Sequence, residues 1–268
     1  MSYRRATIRL LSAALAGVFA TACAARQFTP PTDPGTPLPA FADIHAAVTT
    51  ECASVRTFTA ELGLSGRAGT ERLRGRVVAG FSRPDSMRLE GVAPLGPPAF
   101  VLVARGGAAT LVLPRDNAVL RGAPPDEVLE ALTGVALQPS DLQAVLTGCM
   151  GAGSGVLSGS LHGNGLASLA TGTGVTLYVQ REQGEWRLRA ARSDQWLIEY
   201  PVWQGRFPAT VRLRSEGARV MVDLSAAISQ IEANVDLDAA AFMVDIPPSA
   251  REVTLDDLRS SGPLRGQP

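Results

Sequence analysis

The 268-residue chain contains no lysine: all 25 basic residues are arginine, matched by 25 acidic residues to a formal charge of zero. Without an amine, Schiff-base, P-loop and Ser–Lys chemistries lack their essential group. Without a basic excess, the chain has no electrostatic footprint for displacing counterions from phosphates, so nucleic acid is not an expected partner. Only His45 and His162 are present, which excludes a multi-histidine metal site. Both read as surface residues. No Gly-x-Ser-x-Gly elbow occurs. The glycine-rich stretch 151–165 lacks the strand-then-helix setting of a nucleotide loop. Neither an enzyme nor a cofactor is therefore expected. Aromatics are scarce at 5%, so the core must be built from Ala, Val and Leu. A hydrophobic share of 46% against 19% charged still excludes a mostly disordered chain.

The N-terminus reads as an address. Arg4, Arg5 and Arg9 precede an apolar run from Leu10 to Ala20, too short for a comfortable span of about 20 residues. Ala20-Thr21-Ala22-Cys23 closes it, so residues 1–22 are expected to be a lipoprotein signal peptide, with Cys23 lipidated and the new N-terminus. The other reading is an ordinary signal with an incidental cysteine. Three of the 25 basic residues lie in 1–22 and no acid does, leaving 22 Arg against 25 acids, a formal charge of −3. Residues 23–39 carry five prolines and are expected to be an extended tether.

The globular part is expected over 40–260, with 261–268 as a tail. Phe41, Ile44, Val48, Cys52 and Val55 form one helical stripe over 41–55. The period then drops to two, predicting strands at 58–64, 72–81, 86–90, 99–104, 108–113 and 117–121. Arg105-Gly106-Gly107 is a hairpin signal. Two helices follow, opened by Pro124-Pro125-Asp126 and by Pro139 with a Ser140/Gln143 capping box, and closed by Gly134 and Gly148. Residues 151–165 read as a loop or loose hairpin. Further strands are expected at 175–180, 185–191, 196–200, 209–214, 219–224 and 228–235. A helical turn at 238–242, a short strand at 244–246 and a terminal helical turn at 254–259 complete the reading. The pattern is mainly β with lid helices (α+β). It predicts one curved antiparallel sheet, closed or unclosed, with the helices on its concave face.

Several residues stand out. Phe58, Leu62, Phe81, Phe100, Leu102 and Trp186 lie on the apolar phase of their strands, where a curved sheet faces inward. They line a hydrophobic cavity or belong to an ordinary core. Cys52 and Cys149 remain as an even pair once Cys23 is acylated; in an oxidising compartment they form a disulfide or stay buried thiols. Arg72, Arg74 and Arg76 line one strand face, as a headgroup or partner contact or as a solvated surface. Val92-Ala93-Pro94-Leu95-Gly96-Pro97-Pro98 carries three prolines and no polar side chain. Leu95 either projects toward a membrane or partner, or folds back over the end of the sheet.

Met87-Arg88-Leu89, Ala93-Pro94-Leu95-Gly96 and Phe100-Val101-Leu102 resemble the LolB family of outer-membrane lipoprotein receptors. Leu132-Thr133-Gly134-Val135, Leu137, Pro139, Leu142 and Leu146-Thr147-Gly148 look like the same family's double-helix segment. Order and spacing match over about 56–150; beyond that the similarity is one of pattern. The resemblance implies an unclosed barrel of about eleven strands around a cavity for acyl chains. It implies a monomer anchored on the periplasmic face of the outer membrane, receiving lipoproteins from a periplasmic LolA-like carrier. It gives Leu95 the role of the apolar loop residue that places cargo in the membrane. The chain departs from the family in Cys52, Cys149 and the 151–165 insert. A lipid-binding or structural outer-membrane lipoprotein with no transfer role is the alternative.

Overall fold

A computed structural model describes residues 27–216 and 221–261; the signal segment 1–22, Cys23 and the tail from 262 on lie outside the described residues. Strands β1 (Thr36–Pro37), β2 (Thr57–Ala68), β3 (Glu71–Ser82), β4 (Ser86–Val92), β5 (Val101–Arg105), β6 (Ala108–Leu113) and β7 (Ala118–Ala123) make up the first half of the chain. The second half holds β8 (Val156–Leu161), β9 (Leu166–Thr171), β10 (Thr176–Glu182), β11 (Glu185–Arg192), β12 (Trp196–Gln204), β13 (Phe207–Ser215), β14 (Val222–Ala233) and β15 (Arg251–Glu252). All belong to one sheet, ordered β1-β8-β9-β10-β11-β12-β13-β14-β2-β3-β4-β5-β6-β7-β15. Pairing is antiparallel except between β15 and β7. The sheet curves without closing, and the two-residue strands β1 and β15 form its edges.

The turn chemistry explains this order. Gly106 and Gly107 take φ of 61° and 77°, the mirror-image turn that matches the twist of paired strands. Helices α2 (Pro125–Thr133) and α3 (Pro139–Thr147) each begin on proline and end on a left-handed glycine, Gly134 and Gly148. Helix α1 (Phe41–Ala53) buries Ile44, Thr49 and Cys52, and α4 (Leu255–Ser261) packs on α2. The Ser140/Gln143 capping box is not formed: the N-cap is Gln138, two residues before Ser140, and Gln143 is buried.

Four other expectations are corrected. The 151–165 stretch contributes a regular strand, β8, paired along its length with β9. Glycines hid it from a hydrophobic pattern, yet one is required: a Cβ on Gly159 would lie 2.5 Å from that of Phe41, so α1 rests directly on the β8 backbone. The two strands expected between 219 and 235 are one, β14, whose register shifts between Ser229 and Glu232. The ladder runs unbroken from Val222 to Ser229, across the expected gap at 225–227, where Ser225, Ala226 and Ala227 give little apolar signal. Residues 244–246 form no strand; Val244 lies with Leu237 against Phe242, Val101 and Val103 on the outer face of β5. The expected all-antiparallel pairing has one exception, the two-residue strand β15, which runs parallel to β7.

From Gln27 onward the proline-rich segment is extended and strapped to the sheet's outer face. The Phe28 ring packs against Tyr178, tilted by 48° with centroids 5.1 Å apart. Its N–H donates to Glu199 Oε2 (2.9 Å), while Arg214 Nε donates to Glu199 Oε1 (2.7 Å) and Arg214 Nη2 to the Phe28 carbonyl (3.0 Å). Arg212 Nε donates to Asp223 Oδ1 (2.8 Å), and Gln27 joins that pair when its amide oxygen accepts from Arg212. Farther along, His162 Nδ1 donates to Asp33 Oδ2 (3.1 Å). His162 is thus buried, not exposed as expected.

These contacts set a pH dependence. The hydrogen bond from His162 holds the Asp33 carboxyl below its ordinary range, and that from Arg212 does the same for Asp223. A depressed carboxylate stabilises the folded form above its unfolded pKa of about 3.9, and the effect disappears as pH falls through the lower folded value. The Tyr178 ring resonances, shifted by Phe28, are expected to hold steady from pH 7 to 5 and to relax toward free values only below about pH 4. A transition complete above pH 5 would show that these carboxylates do not hold the strap.

Candidate functional site

The inward phase of the sheet meets the two lid helices over an apolar cavity of about 130 Å³. Leu62 and Leu64 of β2, Val77 of β3, Leu89 of β4, and Val211 and Leu213 of β13 form its floor. Leu129 and Leu132 of α2, Val135 and Leu137 of the linker, and Leu142, Val145 and Leu146 of α3 form its roof. Only Thr133 and Ser225 bring a hydroxyl to the wall. Phe100 closes one side, its ring lying over Gly91, where a Cβ would come within 2.6 Å. Glycine at 91 is therefore what lets the ring reach the wall. A wall of this kind holds no polar ligand, because each buried polar group would lack a partner. It suits hydrocarbon.

The size decides the mode of binding. A dry cavity of about 150 Å³ admits a benzene-sized guest. A longer hydrocarbon exceeds this volume. Leu64, Phe100, Thr133 and Leu224 line both this cavity and an outer groove of about 370 Å³ bordered by Glu71–Arg76 and Val92. The cavity thus meets the surface at the end of the sheet where the β2–β3 turn and the β4–β5 loop lie. Leu95, at the tip of that loop, is 86% exposed and does not fold back over the sheet. Arg115 Nη2 donates to the Leu95 carbonyl (3.3 Å) and so supports the loop from below. Sequence reading missed Arg115, which has no local signal because it lies twenty positions farther along the chain.

Of the six expected lining residues, Leu62 and Phe100 reach the cavity. Phe58, Phe81 and Leu102 do not: they are fully buried in the packed core, with the Phe58 ring 6.4 Å from Phe81 and 5.7 Å from Phe207. Phe58 and Phe81 share the inward phase but lie toward the other end of the sheet, whereas Leu102 is directly opposite the lining residue Leu89 and is fully packed. Trp186 lies in a separate groove of about 510 Å³ between α1 and the β10–β11 and β12–β13 turns, under the Arg181 guanidinium. Cys52 and Cys149 are disulfide-bonded, with Cα atoms 5.4 Å apart, joining the end of α1 to the end of α3. Cys23 lies outside the described residues.

The histidines hold structure. The half-buried His45, expected at the surface, donates from Nε2 to the Gly151 carbonyl (3.2 Å). His162 bridges Asp33 and Ser168 Oγ (2.9 Å), the connectivity of a hydrolase relay. Ser168, however, is paired with Ser160 on one side and Tyr178 on the other, so its strand's amides are committed to ladders and supply no oxyanion site. The bridge rivets the strap to the sheet. Among the described residues no group of three His, Cys, Asp or Glu side chains is placed to hold a metal.

The fold is similar to that of solved structures that share its curved, unclosed antiparallel sheet. A LolA superfamily protein from Nitrosomonas europaea superposes with a TM-score of 0.51 at 11% identity, over 78% of this chain and 98% of that one. A DUF1329 family protein from Desulfovibrio piger gives 0.47 at 12%, over 78% and 98%. The lipoprotein LppX of Mycobacterium tuberculosis gives 0.31 at 9%, over 75% and 99%. No family model and no curated protein matches the sequence. The likeness is one of fold and does not single out the LolB family.

Proposed function

We propose that this protein is a lipid-anchored, monomeric acyl-chain receptor, held through Cys23 on the periplasmic face of the outer membrane. It takes the acyl chains of lipoproteins from a LolA-like periplasmic carrier and releases them into the bilayer. The observation that carries this reading is the apolar cavity under a two-helix lid, meeting the surface beside an exposed leucine loop. Transfer needs no covalent step: burying each methylene stabilises the bound chain by about 0.8 kcal/mol, and a membrane offers the same gain. Cargo therefore moves between two apolar sites of similar depth, and the direction is set by what removes it.

Filling the cavity tests the reading. Ala226 lines the cavity and Ala227, its neighbour, is exposed on the outer face. Ala226→Phe is expected to lower affinity for a fluorescent fatty-acyl probe at least about tenfold, whereas Ala227→Phe leaves it unchanged. Equal probe binding by the two variants, with both folded by circular dichroism, would make the cavity a packing void. The protein would then be a structural lipoprotein of the same fold.

A further inference from the structure

We infer that Arg67, Arg72, Arg74 and Arg76, on the outer face of β2 and β3, form a docking surface for a bilayer carrying anionic phospholipid headgroups. All four are exposed, and they sit close together by register: Arg67 is directly opposite Arg72, Arg74 faces Ser65, and Arg76 faces Gly63. Like charges set opposite each other in a ladder are unfavourable, and Glu61, the outward carboxylate of β2, pairs with Val78 and not with an arginine of this row. Among the described residues none of the four is within ion-pair distance of a carboxylate, whereas nine other arginines are. Asp223, the cross-strand neighbour of Arg67, is engaged by Arg212. Glu71 lies at the start of β3 on the opposite phase and Glu90 is bound to Arg88. A chain whose predicted mature form is net acidic thus keeps four unneutralised cations in one place.

The surroundings identify the occupant. The N-terminal strap covers the outer face from β13 toward β8, and the segment after β14 covers β5, which leaves the β2–β3 sector open. The β4 ladder on β3 begins at the Arg76–Val92 pair, so Arg72 and Arg74 extend past it alongside the loop that carries Leu95. On the other side stands Met221, 68% exposed, its carbonyl held by the Gly69 N–H (2.8 Å). A row of guanidinium groups between two exposed apolar side chains matches a phosphate layer over hydrocarbon, because guanidinium pairs with phosphate in bidentate fashion and leucine and methionine enter the acyl boundary. Gln27, at the start of the strap, reaches the same corner through Arg212 and Asp223. Gln27 is four residue steps from Cys23, a span of at most about 14 Å. This last point rests on the proposed lipid anchor, which would hold this corner at the membrane; the charge argument does not.

The test uses the chain from residue 23 with Cys23→Ser, which keeps every described contact and removes acylation. Flotation with phosphatidylcholine vesicles, with and without phosphatidylglycerol, reads the partition coefficient. The expected result is at least about tenfold stronger partition onto the anionic vesicles, falling with added salt. Arg72→Gln/Arg74→Gln should remove most of that preference, and Arg105→Gln, an exposed arginine at the other end of the sheet, should not. Equal partition onto both vesicle types, or a double variant that floats like the parent, overturns the proposal. So does a charge-dependent association found only with an acidic protein partner and not with vesicles. The acyl-probe assay on the same sample separates the two readings. Probe uptake without charge preference refutes the docking surface alone, and charge-dependent flotation without probe uptake refutes the cavity reading alone.

Discussion

Leu95→Glu is expected to leave folding and acyl-probe uptake intact while reducing delivery of a lipoprotein cargo into vesicles by about a hundredfold or more. Leu95 is 86% exposed, so it contributes little to the packed core and its replacement removes no buried contact. Burying a leucine in hydrocarbon is worth about 1.5–3 kcal/mol, and a carboxylate there is unfavourable by a similar amount. About 2.8 kcal/mol already corresponds to a hundredfold change. Leu95→Ala should fall between the two, because it removes the gain without adding a charge. The loop is held from below by Arg115 and stiffened by Pro94, Pro97 and Pro98, so the tip keeps its position when the side chain changes. A Leu95→Glu protein that delivers cargo at the parent rate would remove Leu95 from the mechanism. A fall of more than a few degrees in the melting temperature of Leu95→Ala would mean that the loop is packed in solution.

Removing the disulfide is expected to have the largest effect on stability. Cys52 and Cys149 are 97 positions apart, and closing a loop of that length restricts the unfolded chain by about 4–5 kcal/mol in the chain-entropy description. For a chain of this size that corresponds to a fall of roughly 10–15 °C in Tm for Cys52→Ala/Cys149→Ala. The bridge also holds the end of α3, half of the lid, against α1. Acyl-probe exchange should therefore speed up in the double variant measured well below its Tm. Calorimetry on oxidised and reduced parent protein checks the first effect. A Tm change under about 3 °C, or two freely alkylated cysteines in periplasm-derived protein, would exclude a stabilising bridge.

Much of the fold is visible along the chain because its causes are local. A period of two with glycine or proline between runs places β2 through β7 to within a few residues, and the proline starts and glycine ends place α2 and α3. An exposed tip is foreseeable for Leu95, since three prolines deny its loop a ladder partner. The strand in the glycine-rich stretch is not, because Gly159 is required by the approach of Phe41 from another element. His162 looks like a loop residue until Asp33, 129 positions away, is brought to it.

The cavity shows the same division most clearly. The apolar phase of each strand follows from alternation alone, and it correctly separates inward from outward positions at Phe58, Leu62, Phe81, Phe100 and Leu102. Which inward residues meet open space depends on where a lid made from residues 125–147 ends over a sheet made from β2–β4, β13 and β14. Phe58, Phe81 and Leu102 lie where side chains from both sides fill the volume, whereas Leu62 and Phe100 lie where they do not. Periodicity records only whether a side chain leaves water. Packing density along the sheet is a property of elements distant in sequence, and it appears only when they are assembled. The arginine row follows the same logic: its alternation is written in β3, but that its charges go unpaired was decided by which carboxylates the other strands and the two straps bring, or do not bring, to that face.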